Sequence, residues 1–367
     1  MPAKEATPFS QALDRRVEEG ALGTLYEKLP DDQVRCYACA HRCLIKEGLR
    51  GICKVRYNRG GTLMVPRGYV GALQCDPIEK KPFFHAFPGT DALTFGMLGC
   101  DLHCSYCQNW VTSQALRDPG ALSEPMDVRP RQLVDIAQRQ EASVVATSYN
   151  EPLITSEWAV EVFKEARPRG FMTAYISNGN ATREVLEYIR PFTDLYKIDL
   201  KSFRDKNYRS LGGKLENIVN GVRMVHEMGF WLEIVTLIIP GFNDSDEELG
   251  DIARFLAGLS PSIPWHVTAF HKDYRMQDPD NTTPQTLLRA AAIGEAAGLQ
   301  YIYAGNLPGR VGRYEDTRCP SCQTALVRRF GYRILEDRLT GLGTCYRCGF
   351  KIPGIWSNAK ISAGRAY

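Results

Sequence analysis

The sequence predicts an α/β protein whose centre is a partial (β/α)6-type barrel with a small cysteine-rich module at each end. Three observations predict it. Short β-rich runs alternate with amphipathic stretches between residues 91 and 308, cysteines cluster in spaced groups, and polar motifs recur just after the β-rich runs. At 367 residues the chain exceeds one average domain, and a barrel of about 200–250 residues leaves room for appendages. The expected division is an N-terminal cysteine-rich metal-binding module at 1–90, the barrel at 91–308 and a C-terminal module at 309–367.

The β-rich runs are 92–98, 144–148, 173–177, 195–200, 231–238, 265–270 and 301–304. Between them lie helical patterns at 131–140, 156–167, 182–189, 217–228, 245–259 and 284–297. Strands separated by crossover helices make parallel β/α units, and the Val, Ile and Leu content of the runs suits strands buried on both faces. Spacing alone leaves open whether the barrel closes.

Composition excludes several classes. A hydrophobic fraction of 44% and a charged fraction of 24% are ordinary for a globular protein, so disorder is not indicated. The net charge of +3 is unevenly spread. Residues 318–367 carry nine Lys/Arg against two Asp/Glu, which leaves the rest of the chain at −4. No apolar run approaches the roughly 20 residues that cross a bilayer, and the polar N-terminus lacks the apolar centre of a signal peptide. Eleven of the twelve cysteines fall in metal-ligand groupings rather than a disulfide framework. A soluble cytoplasmic protein in a reducing compartment, with no membrane partner, is expected.

Cys100, Cys104 and Cys107 form a C-x3-C-x2-C triplet just after the first β-rich run. Three thiolates so spaced can hold three irons of a [4Fe–4S] cluster and leave the fourth uncapped, whereas electron-transfer clusters take four cysteines. S-adenosylmethionine (SAM), through its amino and carboxylate groups, can complete such a cluster. The other reading is half of a zinc site, although zinc sites pair cysteines as C-x2-C and need a fourth ligand. Asn150-Glu151-Pro152 follows the second run, Ser177-Asn178-Gly179 ends the third, Asp199 and Lys201 end the fourth, and His271 follows the sixth. All sit at strand C-termini, the face on which parallel β/α folds build their sites.

From Asp91 to about Leu307 the chain resembles a radical SAM domain of the pyruvate formate-lyase activating enzyme type. The resemblance rests on Cys100-x3-Cys104-x2-Cys107, Ser177-Asn178-Gly179, Ile198-Asp199-Leu200-Lys201 and Ala269-Phe270-His271. Over its whole length, with both cysteine-rich ends and Tyr149-Asn150-Glu151-Pro152, it is similar to the AmmeMemoRadiSam-system radical SAM enzymes. The resemblance implies reductive cleavage of SAM by a [4Fe–4S] cluster to a 5′-deoxyadenosyl radical that abstracts hydrogen from a substrate. It also implies a reductant such as flavodoxin or ferredoxin. Glu151 would bind the SAM ammonium, and Ser177 and Asn178 the ribose hydroxyls or the carboxylate. Lys201 would bind the carboxylate with Asp199 as its partner, His271 would donate to the same group, and Tyr106 would pack on the adenine. The activase type has Gly-Gly-Glu-Pro where this chain has Tyr149-Asn150-Glu151-Pro152, so Asn150 carries over less directly.

Cys319-x2-Cys322 and Cys345-x2-Cys348, 22 residues apart, are two knuckles of a four-cysteine site, expected to be zinc-ribbon-like, with rubredoxin-like iron as the rival. Cys36-x2-Cys39-x3-Cys43-x9-Cys53 is a second four-thiol group for zinc or another [4Fe–4S] cluster, and Cys75 reads as a small core residue. Within the enzyme class the alternative is a glycyl-radical activase. Outside it, the basic C-terminal module would make the chain an RNA- or protein-binding module with structural metal sites. The substrate is expected to be anionic or macromolecular.

Overall fold

The computed structural model describes residues 8–341 and 343–356. The alternating stretch forms one eight-stranded sheet whose spatial order follows the chain: β1 (Ala72–Pro77), β2 (Asp91–Gly96), β3 (Val144–Thr147), β4 (Met172–Ser177), β5 (Leu195–Asp199), β6 (Trp231–Ile238), β7 (Trp265–Ala269) and β8 (Ile302–Gly305). β2 to β8 are parallel, and β1 runs antiparallel to β2 at the edge. The crossovers carry α1 (Pro130–Arg139), α2 (Ser156–Ala166), α3 (Arg183–Ile189), α4 (Leu215–Glu227), α5 (Asp246–Leu259) and α6 (Pro284–Ala296). Every residue of β3, β4 and β7 is buried. Such strands cannot alternate in hydropathy, because helices cover one face and the barrel interior the other.

Local chemistry sets the helix starts. Thr182, Ser245 and Thr283 each accept, through the side-chain hydroxyl, the N–H three residues on, which satisfies a donor the helix leaves open. Sequence reasoning placed 72–77 in the N-terminal module; it is instead the outer strand of the central sheet, register-matched to β2 from Ala72–Gly96 to Pro77–Asp91. It was obscure because Gln, Cys, Asp and Pro dilute its apolar pattern.

The sheet curls without closing, since β1 and β8 are its two free edges. Residues 78–90 and the C-terminal module fill that opening. The C-terminal module is a small antiparallel sheet whose hairpin joins β9 (Ala325–Phe330) to β10 (Arg333–Asp337). Buried Arg329 of β9 donates to Thr317 Oγ1 (2.8 Å) and to the Phe84 carbonyl (3.0 Å), lies 3.7 Å from the Glu79 carboxylate, and stacks on the Phe84 ring at 4.2 Å. His85 Nδ1 is 2.7 Å from the Pro353 carbonyl, which can only accept, so Nδ1 carries the proton and Nε2 accepts from Tyr303 OH at 2.6 Å. Buried Glu233 on β6 accepts the Phe84 and His85 N–H groups (3.0 and 2.9 Å) and pairs with His266 at 2.7 Å. The gap between strand edges is thus sealed by a chain of satisfied polar groups.

Burial pulls the His85 pKa down to about 4. Its folded pKa lies below the unfolded value, so between about pH 6.5 and 4 the unfolded chain binds the extra proton and the fold loses stability as pH falls, by up to about 1.4 kcal/mol per unit. Urea denaturation at pH 5 and pH 7 should show this loss for the native chain, and His85→Phe should flatten the slope.

Candidate active site

The loop after β2 carries Cys100, Cys104 and Cys107 and is pinned on three sides. Gly99 N–H donates to the Thr112 carbonyl (3.1 Å), His103 N–H to the Leu211 carbonyl (2.9 Å), and Cys107 N–H to the Cys104 carbonyl (3.3 Å). Gly99 has φ 89°, and a Cβ there would stand 2.9 Å from the Cys53 carbonyl, so the close approach to the N-terminal module requires glycine. The three thiols are free. Burial pushes Cys100 well up and Cys104 up to about 11, so alone they would stay protonated.

A cavity of about 610 Å³ opens at the C-terminal ends of the strands, within the range of small-molecule sites. Its wall includes all three cysteines together with Tyr106, Asn150, Glu151, Ser177, Asn178, Asp199, Lys201 and His271. The strand-end residues that sequence reasoning singled out therefore share one space.

Two buried carboxylates organise them. Glu151, 2% exposed, accepts from Ser177 Oγ (2.7 Å), Asn178 N–H (2.7 Å) and Leu153 N–H (3.1 Å). Burial, reinforced by the nearby Asp101 charge, pushes its carboxyl up to about 8. Asp101, between two of the cysteines, accepts from Asn178 Nδ2 and Asn180 Nδ2, both at 2.7 Å. The side-chain donors of Ser177 and Asn178 are thus spent inside the protein, where they lock the β2, β3 and β4 loops together. Tyr149 takes φ 66°, a left-handed conformation that suits the glycine the activase type has there. Its carbonyl accepts from Thr112 Oγ1 (2.5 Å) and its hydroxyl from Lys81 (2.8 Å), which hold the strained turn. Asn150 Oδ1 accepts Met97 N–H at 3.0 Å.

Across the cavity, Asp199 lies between two lysines, 2.6 Å from Lys197 Nζ and 3.8 Å from Lys201 Nζ. Burial pushes Asp199 up, but both ammoniums outweigh it and hold the carboxyl below its usual value. Lys197 was missed by sequence reasoning. The signal was present, because positions 197 and 199 of one strand share a face. Tyr106 is buried edge-on to Phe242 (5.8 Å), and among the described residues its hydroxyl has no partner. His271 sits exposed at the rim, its Nε2 2.9 Å from Gln108 Nε2. His266, Tyr303, Glu315 and Tyr332 line the far end, so the C-terminal module contributes to the cavity wall.

The site fits a thiolate-held cluster on this chain's own features. Three free thiols line one cavity, and Tyr106, whose buried hydroxyl has no partner among the described residues, lines it too. At the C-terminus, Cys319, Cys322, Cys345 and Cys348 place all four sulfurs within 4.8 Å of one another, so that group could bind a metal. Cys319–Cys348 and Cys322–Cys345 are 3.5 and 3.7 Å apart, near the roughly 3.8 Å edge of a tetrahedron with 2.3 Å bonds. Gln323 and Gly349 take positive φ, 59° and 76°, just after the second cysteine of each knuckle, which gives the two turns one shape. Cys36, Cys39, Cys43 and Cys53 gather beside the barrel. Burial, then the Asp101 charge and the other three thiols, push Cys39 well up. Half-buried Cys75 lies on β1 and packs against the core.

Replacing Asp101 by Ala would orphan two buried amide donors, at about 1–3 kcal/mol each. Urea denaturation of the metal-free chain should show a loss of about 2–5 kcal/mol, with little change for Ala at exposed Glu216.

Residues 95–256 match the Radical SAM superfamily. An uncharacterized protein of Methanocaldococcus jannaschii is 35% identical over 333 residues, 89% of this chain and 97% of its own length. The pyruvate formate-lyase-activating enzyme of Staphylococcus aureus is 25% identical over 202 residues, 50% of this chain and 78% of that protein. Among solved structures, a radical SAM methyltransferase from Sphaerobacter thermophilus aligns at 17% identity with a TM-score of 0.47, covering 60% of this chain and 68% of that one. A domain of the pyruvate-formate lyase-activating enzyme from Bacteroides vulgatus aligns at 24% identity with a TM-score of 0.40, covering 45% and 100%. Among the described residues no helix is long and apolar enough to cross a membrane. The chain shares a family with the M. jannaschii protein and belongs to the radical SAM superfamily.

Proposed function

We propose that Cys100, Cys104 and Cys107 hold a [4Fe–4S] cluster with SAM beside it, and that the chain uses them to abstract a hydrogen atom from a substrate in the remaining cavity. The observation that carries this is the convergence of the three thiols and the strand-end polar residues on one cavity. Held there by the three thiolates, such a cluster would supply one electron, received from a flavodoxin- or ferredoxin-like donor, for the cleavage of SAM to methionine and a 5′-deoxyadenosyl radical.

The chain's own residues then have defined tasks. Glu151, with a pKa of about 8, keeps its proton near neutral pH until a cation arrives. The SAM ammonium replaces that proton as the charge partner, in a bond strengthened by burial. Ser177 and Asn178 hold the Glu151 oxygens in place. Lys201, loosely paired with Asp199 at 3.8 Å, has capacity left for a carboxylate. Tyr106 offers a face for the adenine and a hydroxyl that needs a partner. His271 and Gln108 stand at the rim, where they can limit water access. Lys81 and Lys197 also line the cavity, paired with Asp76 at 3.0 Å and Asp199 at 2.6 Å, and a substrate with an anionic group would share them with those carboxylates. The whole-length resemblance to AmmeMemoRadiSam-system enzymes and a cytoplasmic setting belong to this reading.

Glycyl-radical activation is the second reading, supported by the 25% identity to an activating enzyme over half of the chain. The superfamily match spans 95–256, and both cysteine-rich ends lie outside it. For the C-terminal quartet we favour one structural zinc, since four thiolates leave no open position for catalysis.

Anaerobic assays of reconstituted protein with dithionite and SAM should yield 5′-deoxyadenosine. Cys104→Ala should abolish it, and Lys201→Ala should weaken SAM binding about tenfold or more without substrate present. Product from Cys104→Ala would reject the cluster assignment, whereas unchanged SAM affinity would move Lys201 to the substrate. Metal analysis before iron reconstitution should find zinc that Cys345→Ser removes, together with protease resistance at 317–356, because metal binding there is part of folding.

A further inference from the structure

We infer that the N-terminal module is an electron-input site: Cys36, Cys39, Cys43 and Cys53 hold an iron–sulfur cluster that receives one electron from an acidic redox protein and passes it to the cluster at Cys100, Cys104 and Cys107. The relay role rests on the function proposed above; the presence of iron at the quartet does not.

The quartet is built as a buried site. Cys36, Cys39 and Cys53 are buried and Cys43 is half-buried, all as free thiols. Cys36 N–H donates to the Cys43 carbonyl (3.0 Å) and Arg42 N–H to the Cys39 carbonyl (3.0 Å), which folds the first three cysteines into one turn. Gly51 N–H donates to the Arg56 carbonyl (2.8 Å), and a Cβ at Gly51 would lie 3.6 Å from Cys43 Sγ, so the turn bearing Cys53 closes onto the first. The fully buried Arg56 guanidinium donates to Cys36 Sγ at 3.5 Å while Ile154 O (2.8 Å) and Glu157 hold it. A fixed cationic donor at a ligand sulfur is a means by which proteins tune iron–sulfur potentials. Among the described residues, the four sulfurs that close within 4.8 Å, the span of one ion, are those of the C-terminal quartet.

Its position links the two centres. The Cys53 carbonyl abuts Gly99, His41 Nε2 is 3.1 Å from the Asp101 carbonyl, and Ala40 N–H donates to Asn180 O at 2.9 Å. Arg117 donates to both Ile52 O (2.5 Å) and Leu102 O (3.0 Å). Residues 99–101, which carry Cys100, touch the N-terminal module directly through Cys53 and His41, and electron transfer between protein-bound centres falls steeply with distance. Within residues 44–54, Leu44, Leu49 and Ile52 are exposed, as are Lys46 and Lys54. Of the seven Lys/Arg in residues 34–59, Arg35, Arg42, Arg50 and Arg56 are paired with Glu27, Glu184, Asp14 and Glu157, so exposed Lys46 and Lys54 carry the positive charge of this face. An apolar patch with a basic rim fits an acidic electron-transfer protein.

The test uses the full chain with Cys100, Cys104 and Cys107 all replaced by Ala, reconstituted anaerobically. It should keep about four irons and, when reduced, give an electron paramagnetic resonance signal that SAM does not shift. Loss of all iron with zinc at both quartets would overturn the proposal. The complementary Cys36→Ser/Cys53→Ser chain should lose about half of the iron of the native protein while still responding to SAM, and full iron in that chain would equally overturn it. With native cysteines, Lys46→Glu/Lys54→Glu should slow cluster reduction by reduced flavodoxin about tenfold at low salt, with dithionite reduction unchanged. An unchanged flavodoxin rate would overturn docking at this face. Absence of SAM cleavage with dithionite would count against the Cys100 site alone, whatever the quartet holds.

Discussion

The arrangement depends on two carboxylates buried where the sheet ends. Glu151 and Asp101 stand within electrostatic reach of each other, a costly placement unless their oxygens are satisfied. Ser177, Asn178, Asn180 and the 153 and 178 amides satisfy them, and by doing so they join the loops after β2, β3 and β4. A cysteine loop fixed in this way needs little reorganisation to accept a cluster, because the strand ends that carry its neighbours are held by the same bonds. The Asp199–Lys197–Lys201 group brings a second polar set to the opposite wall, one carboxylate between two ammoniums.

The open barrel gives the cysteine-rich ends their meaning. A sheet with two free edges exposes unpaired backbone and leaves the interior open to water. Here Phe84, His85 and Arg329 fill that opening, and their polar atoms meet partners on β6, β8 and the C-terminal hairpin. The metal-sized C-terminal quartet packs beside Phe84, Tyr301 and Tyr303, so folding of that module and shaping of the cavity's far end are one event. The N-terminal module plays the corresponding part at the other end, against the cysteine loop itself.

Much of this was legible in the sequence. Seven parallel strands and the crossover helices lie within two residues of the positions that periodicity gives, because long buried strands and amphipathic helices write themselves plainly into hydropathy. The triplet and the strand-end motifs all reached one cavity for the same reason: a parallel sheet puts every strand C-terminus on one face. What escaped depended on contacts between distant segments. β1 was hidden by mixed composition, and nothing in the sequence marks Asp101, which accepts from Asn178 and Asn180 on a distant loop. Ser177 and Asn178 were expected to face a ligand, whereas their donors serve the two carboxylates. Tyr149 shows the reverse case, in which a departure from glycine was noted in sequence and the structure supplied its cost, a left-handed turn held by Thr112 and Lys81.

The central claim is that the Cys100, Cys104 and Cys107 cluster has one iron open to SAM. Electron–nuclear double resonance on the reduced, reconstituted protein with SAM labelled by 15N at its amino group and 17O at its carboxylate addresses this directly. The account predicts hyperfine coupling from both labels to the cluster spin, and a cluster spectrum without coupling from either label would contradict it.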